Sequence, residues 1–162
     1  MIILNPLAET EKKETKINGI GKIEKITLLN NTKPNADIIL EEIPKNLKNI
    51  KILKSAKPAG APATDKRIQE AAKTDLCILA LGDCGSCTTW LILDAIRLEK
   101  TGTPTITICS DKFSKFAKEL ATTHGAPKLR IVEIEHPIAG LEKQKVIKKT
   151  KQTIKDIKKL IR

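Results

Sequence analysis

The chain has no tyrosine, two phenylalanines and one tryptophan among its 162 residues. Proteins that read single-stranded nucleic acid stack bases on aromatic side chains, and this composition supplies almost none. No apolar run approaches the roughly 20 residues that a membrane-spanning helix needs, so no membrane association is expected. The opening Met1-Ile2-Ile3-Leu4 is apolar, but Asn5, Pro6 and a charged stretch follow at once, unlike a secretory signal. Neither Gly-x-Gly-x-x-Gly nor a phosphate-binding Lys loop occurs, so no nucleotide has motif support and no cofactor is expected. With 40% apolar and 30% charged residues, the chain reads as one ordinary globular domain that needs no disulfide staples. Its four cysteines therefore read as reduced thiols of a cytoplasmic protein, each with a role of its own.

Acidic residues are the scarcer charge, 19 against 30 Lys and Arg, for a formal net charge of +11. Much of that excess sits at one end. Residues 141–162 hold eight Lys and Arg162 against only Glu142 and Asp156. A basic run of this kind reads first as the solvated face of a helix, and second as a surface for docking a partner.

Residues 1–22 are polar and rich in Lys and Glu, with Asn18-Gly19 and Gly21 as breakers, and read as an N-terminal arm. Residues 23–162 read as a single α/β domain in which strands and helices alternate. Strands are expected over Ile23–Asn30, Ile50–Ser55, Leu76–Leu81, Pro104–Ser110 and Leu129–Glu135. Helices are expected over Pro34–Leu47, from an N-cap at Thr64 to about Lys73, and over Ser86–Lys100 with a stop at Gly102. A fourth, capped by Asp111 or Ser114, stops at Gly125, and Leu141–Arg162 forms the last. Single helices between five strands predict a parallel sheet with right-handed crossovers. The expected fold is a three-layer, doubly wound, flavodoxin/Rossmann-like domain with strand order 2-1-3-4-5.

In open parallel sheets the crevice for ligands lies beyond the carboxyl ends of the strands. The sequence delivers Asn30–Asp37, Gly82–Trp90, Ser110-Asp111 and His136–Gly140 to that edge. It thereby gathers Cys84, Cys87 and His136. A thiol in the first turn of a helix is stabilised as thiolate by free N–H groups and the helix dipole, its pKa falling from about 8.5 toward ~3.5–7.5. A Cys-x-x-Cys spacing places a second sulfur one turn on, where it can resolve a sulfenic acid or mixed disulfide. Gly85 and Ser86 let the turn tighten and offer amides, while Asp83 opposes a low thiol pKa unless it faces a cation or caps the helix. His136 is the candidate acid or base, against the plainer reading of a turn cap. Lys33, Asn35, Asp83, Gly85, Ser86 and Thr88 are candidate substrate contacts. Cys77 and Cys109 fall inside core strands, His124 belongs to a helix end, and Trp90 is expected on the core side of its helix, with a place in the crevice wall as the alternative. With no second cysteine pair close in sequence, no structural metal site is expected.

The run Leu81–Trp90 (LGDCGSCTTW), with Asp94-Ala-Ile and Glu99 behind it, resembles the UGSC-motif family of (seleno)proteins, named for selenocysteine-Gly-Ser-Cys. Asn31–Asp37 (NTKPNAD), Gly102–Thr105 (GTPT) and His136–Gly140 (HPIAG) match further landmarks, so the similarity spans most of the chain. The resemblance implies that Cys84 stands where that family has selenocysteine and Cys87 where it has the partner thiol, which makes position 84 the reactive atom. A shorter similarity, to the motif of the selenoprotein subunit of glycine, betaine and sarcosine reductases, implies reductive cleavage or transfer through a selenoether or thioether intermediate.

Three functions remain open at this level. One is a thiol-dependent redox or transferase enzyme that acts on a small molecule through Cys84 and Cys87, with a reductant or partner protein. Another is a non-catalytic binding module or complex subunit, docking through the basic C-terminal helix or as a homo-oligomer. The third is binding of a soft metal by the thiol pair.

Overall fold

The computed structural model describes residues 14–161. The apolar start Met1–Leu4 and most of the expected arm lie outside the described residues, as does Arg162. Five strands, β1 (Lys25–Asn30), β2 (Lys51–Ala56), β3 (Leu76–Gly82), β4 (Thr105–Ser110) and β5 (Ile131–Ile134), form one parallel sheet in the order 2-1-3-4-5. Five helices connect and cover them: α1 (Ala36–Glu42), α2 (Asp65–Ala71), α3 (Gly85–Lys100), α4 (Asp111–Thr123) and α5 (Lys143–Leu160). The expected doubly wound, flavodoxin-like order is the observed one.

The pleat sorts the core into two halves. Ile26, Leu28, Ile78, Ala80, Ile106, Ile108, Val132 and Ile134 point to the face covered by α1 and α5. Leu29, Cys77, Leu79 and Cys109 point to the face covered by α2, α3 and α4. Central strands β3 and β4 are buried at every position, whereas edge strand β2 has only exposed and half-buried ones. Among the described residues no helix is long and apolar enough to cross a membrane.

Several element ends differ from expectation, each for a physical reason. The helix expected over Pro34–Leu47 begins only at Ala36, because Asn35 adopts a left-handed conformation (φ 71°). It stops at Glu42 because Pro44 has no N–H to donate and its ring crowds the preceding turn, leaving a short 3-10 turn over Pro44–Asn46. The cap of α4 is Ser110, not Asp111 or Ser114. Helix α3 ends where expected: Gly102 turns left-handed (φ 93°), and the Thr103 N–H bonds back to the Leu98 carbonyl.

Two polar side chains hold the sheet's ends. At the amino edge, buried Glu99 accepts from the Thr105 N–H and hydroxyl with one oxygen and from the Asn18 N–H and amide with the other. Arg130 meets the same carboxylate, and Thr15 N–H bonds to the Gly125 carbonyl, so residues 14–18 are strapped to the domain. At the carboxyl edge, the fully buried Asn31 donates its amide to the Leu81 carbonyl and accepts the Leu81 N–H, both at 2.8 Å. Leu81 is also the position skipped in the β3–β4 register, so Asn31 serves backbone groups there. Asn31→Ala should lower stability by about 2–4 kcal/mol in urea unfolding, since it orphans two buried backbone groups; a loss of a few tenths would show that the bracket is not needed.

Candidate functional site

Strand β3 runs into Gly82, Asp83 and Cys84 and then directly into α3. The turn needs a glycine: a Cβ on Gly82 would lie 2.6 Å from Cys109 Sγ and 2.9 Å from Thr88 Oγ1. Cys84 is the N-cap of α3 in extended conformation (φ −162°, ψ 170°), half-buried, with its thiol 4.0 Å from the Ser86 hydroxyl. No capping bond is formed at rest. Gly85 and Ser86 are exposed, and among the described residues nothing lies within 4 Å of where a Gly85 Cβ would be, so these leave the approach to Cys84 open. One turn on, Cys87 is fully buried; its sulfur accepts the Asp83 N–H at 3.2 Å and its thiol donates to the Cys84 carbonyl at 3.3 Å.

These surroundings separate the four free thiols. Desolvation pushes Cys84 up, but hydrogen bonding from the Cys87 thiol and amide, the Lys33 cation and the Ser86 hydroxyl outweighs it and holds Cys84 below the ordinary thiol range. Cys87 moves the other way: burial raises it, and its hydrogen bond to Cys84 adds to the rise. Cys77 and Cys109 are wholly buried, as expected, and burial drives both upward, Cys109 to about 12.

The strand ends beside this turn bring His136 to it. Asp83 Oδ1 lies 2.8 Å from His136 Nδ1, and its Oδ2 accepts the Ala139 N–H at 3.2 Å. Ser110 Oγ is 3.3 Å from the same ring nitrogen, Asp111 Oδ1 accepts the His136 N–H at 3.1 Å, and the Phe113 ring stands 6.1 Å away, centroid to centroid. Among the described residues Asp83 is thus neither helix cap nor lysine partner; its carboxylate turns to the imidazole.

Two expected substrate contacts sit elsewhere. The Asn35 amide donates to the Ile138 and Leu141 carbonyls at 2.8 and 3.0 Å, so it ties the loop before α1 to the one before α5. Thr88 is fully buried with its hydroxyl against Gly82, beneath the turn and out of reach of a ligand. Lys33 is half-exposed and its charge acts on both thiols. Trp90 is not on the core side of α3. It is half-buried and lines a surface hollow of about 630 Å³ with Pro62, Leu93, Arg97 and His124. His124 is the C-cap of α4, as its place in the sequence suggested. Among the described residues no group of three or more His, Cys, Asp or Glu could hold a metal ion.

Sequence reasoning missed a buried lysine. Lys57 follows β2 with its ammonium wholly buried, 3.2 Å from Asp94 Oδ2 and 2.8 Å from the Ala61 carbonyl. Desolvation lowers its pKa against the pull of Asp94. Asp94, two turns beyond Cys87 on the same face of α3, also accepts the Ala63 N–H and pairs with Arg97. This network closes the 57–63 loop onto α3 behind the thiols. A carboxylate among Leu91, Ala95 and Leu98 on an apolar helix face was the available signal for it.

The fold and site define a flavodoxin-like α/β domain that carries a thiol pair at the carboxyl edge of its central strand. The chain belongs to the UGSC family, which it matches over residues 2–162. No curated protein matches it. Among solved structures it is similar to a short-chain flavodoxin associated with a non-canonical PDU bacterial microcompartment, at 12% identity and TM-score 0.51, covering 85% of this chain and 99% of that one. A flavodoxin of Streptococcus pneumoniae TIGR4 follows at 13% identity and TM-score 0.48, covering 83% and 97%. An FMN-dependent NADH-azoreductase from Bacillus anthracis, in complex with FMN, stands at 12% and 0.46, covering 85% and 100%.

Asp94→Ala should cost about 3–5 kcal/mol in denaturant unfolding, because it strands the Lys57 ammonium in the interior. The double replacement Lys57→Met with Asp94→Leu should recover most of that loss. A single variant as stable as the parent would mean that Lys57 finds water.

Proposed function

We propose that this protein is a thiol-dependent redox or transferase enzyme for a small molecule, with Cys84 as nucleophile and Cys87 as resolving thiol. The observation that supports this most is the contrast among the four thiols. Cys84 alone is within reach of solvent and held below the ordinary range, while the other three are buried and pushed up. In a substrate X–Y, the Cys84 sulfur bonds to X as the X–Y bond breaks, and Y leaves with a proton. Cys87 then attacks the Cys84 sulfur; the S–S bond forms, the S–X bond breaks, and X takes the proton that Cys87 loses. The substrate gains two electrons and two protons, and the dithiol becomes a disulfide. An external dithiol, small or carried by a partner protein, returns it to the reduced state.

The amides of Gly85 and Ser86 stand at the amino end of α3, where developing negative charge is stabilised. Lys33 adds a cation to the same region. His136 is the acid or base of the site. The four free thiols suit a reducing, cytoplasmic compartment.

The test is the pH dependence of iodoacetamide alkylation, read at each cysteine by mass spectrometry. A group whose pKa lies below the ordinary value is already thiolate at lower pH. Alkylation of Cys84 should therefore rise and level off at lower pH than that of a free thiol, while Cys87, Cys77 and Cys109 stay slow. If Cys84 alkylates no faster than a free thiol, the enzyme reading fails and docking through the basic helix α5 takes its place. Cys84→Ser should abolish turnover with any genuine substrate.

A further inference from the structure

We infer that Lys33 selects the substrate by charge: the small molecule that Cys84 attacks carries a negative group, a carboxylate or a phosphate, close to the atom that bonds to sulfur. The inference rests on the thiol reading above and goes beyond it to a substrate class.

The lysines near the carboxyl edge of the sheet differ in what they meet. Lys57 pairs with Asp94 and the Ala61 carbonyl, and Lys149 pairs with Glu135 and reaches the carbonyls of Glu135, His136 and Pro137. Both hold loops in place. Lys33 is half-exposed, and among the described residues its ammonium has neither a hydrogen-bond nor an ion-pair partner. The backbone that carries it is fixed nonetheless. One side-chain oxygen of Asn31 accepts the Lys33 N–H at 3.3 Å and the Leu81 N–H at 2.8 Å, so the lysine loop and the strand that runs into Cys84 are tied to the same atom. The Thr32 N–H bonds to Asn30 Oδ1 at 2.7 Å, the Thr32 hydroxyl to the Lys57 carbonyl at 3.1 Å, and the Lys33 carbonyl accepts the Ala36 N–H at 3.0 Å. A rigid loop thus presents one unpartnered cation, and the charge of that cation acts on both Cys84 and Cys87.

The acids around it are turned elsewhere. Asp83 faces the His136 ring and the Ala139 N–H, and Asp111 takes the His136 N–H. Asp37, four residues after Lys33, lines a hollow between α1 and the ends of β1 and β2, with Leu28, Leu40 and Lys54. None of these carboxylates pairs with Lys33 among the described residues. The charge left over at the thiol turn is therefore positive, and that sign selects among substrates. A thiolate repels an incoming anion, so a nucleophile without a neighbouring cation would disfavour a negative substrate. Lys33 reverses that preference: it offsets the repulsion from sulfur and offers three N–H donors to a carboxylate or phosphate oxygen. A neutral substrate gains nothing from the ammonium, and a cationic one is repelled by it.

The experiment uses iodoacetate and iodoacetamide, probes of nearly the same shape that differ by one negative charge. With either, the sulfur bonds to the CH₂ carbon, the C–I bond breaks and iodide leaves with the electron pair. A small neutral thiol, N-acetylcysteine amide, is the reference, and its thiolate repels the acid. At Cys84 of the wild-type protein, followed by mass spectrometry, the acid-to-amide rate ratio should exceed the reference ratio by about 3–10-fold and fall as salt is raised. Lys33→Gln should return the ratio to the reference value, and Lys33→Arg should keep most of the gain. Neither variant removes a side-chain contact seen among the described residues, so both should unfold in urea as the parent does. Loss of the cation also lowers the thiolate fraction of Cys84, but that slows both reagents alike and cancels in the ratio. A wild-type ratio no higher than the reference, or one unchanged in Lys33→Gln, would overturn the inference and leave the thiol reading standing. If Cys84 takes iodoacetamide no faster than the reference thiol while the ratio still depends on Lys33, the thiol reading falls and the charge selection stands.

Discussion

The placement of the thiols depends on where β3 ends. Its last residues carry the chain from the sheet into α3 with no loop between, so any slip there would move Cys84 with it. The Asn31 side chain prevents that by bonding both backbone groups of Leu81, the position skipped in pairing with β4. An asparagine amide copies the donor and acceptor of a peptide, and here it extends β1 by one further rung without continuing the strand. The same oxygen also accepts the Lys33 N–H, at 3.3 Å, which orders the loop that carries the cation facing the thiols. Fold and site electrostatics are therefore joined at one buried amide.

The organisation of the fold was legible because its signals are local and repeated. Leu76–Leu81 is an unbroken apolar run bounded by a charged residue and a glycine, and a strand covered on both faces requires that. Gly102 and Gly125 stop their helices as glycines do. Errors arose where tertiary contacts decide local conformation. Asn35 turns left-handed while its amide binds carbonyls 103 and 106 residues away, and no window of sequence around it contains that information. Trp90 faces the groove beside α2 and not the sheet, which the aromatic character of the residue alone could not indicate.

At the site, the thiol pair and the histidine that Asp83 ties to the same turn were readable, and the residues that support them were not. Cys84, Cys87 and His136 announce themselves by type and by position at strand ends. Lys57 does not: in a chain with 30 Lys and Arg, one lysine before a proline is indistinguishable from its exposed fellows. Lys149 is hidden in the same way among the lysines of α5, although its ammonium collects three carbonyls of the His136 loop. Landmarks such as Asp94 and Glu99 prove to be architectural, each binding backbone N–H groups that hold a loop or strand end. A motif that extends past its reactive residues can therefore record scaffold as much as chemistry.

The sign of Asp83's influence shows why geometry had to settle what spacing could not. A carboxylate next to a thiol in sequence should raise the thiol pKa by like-charge repulsion. In an extended segment, however, successive side chains point to opposite sides. Cys84 is extended, so its thiol turns toward the amides of α3 while the preceding carboxylate turns toward β5. There Asp83 meets an imidazole N–H and the Ala139 amide, donors that hold its negative charge on the far side of the backbone. What remains near the sulfur is favourable: the Cys87 thiol and amide, the Lys33 cation and the Ser86 hydroxyl. One extended residue thus turns an acid that would have opposed a low thiol pKa away from the sulfur and onto the imidazole.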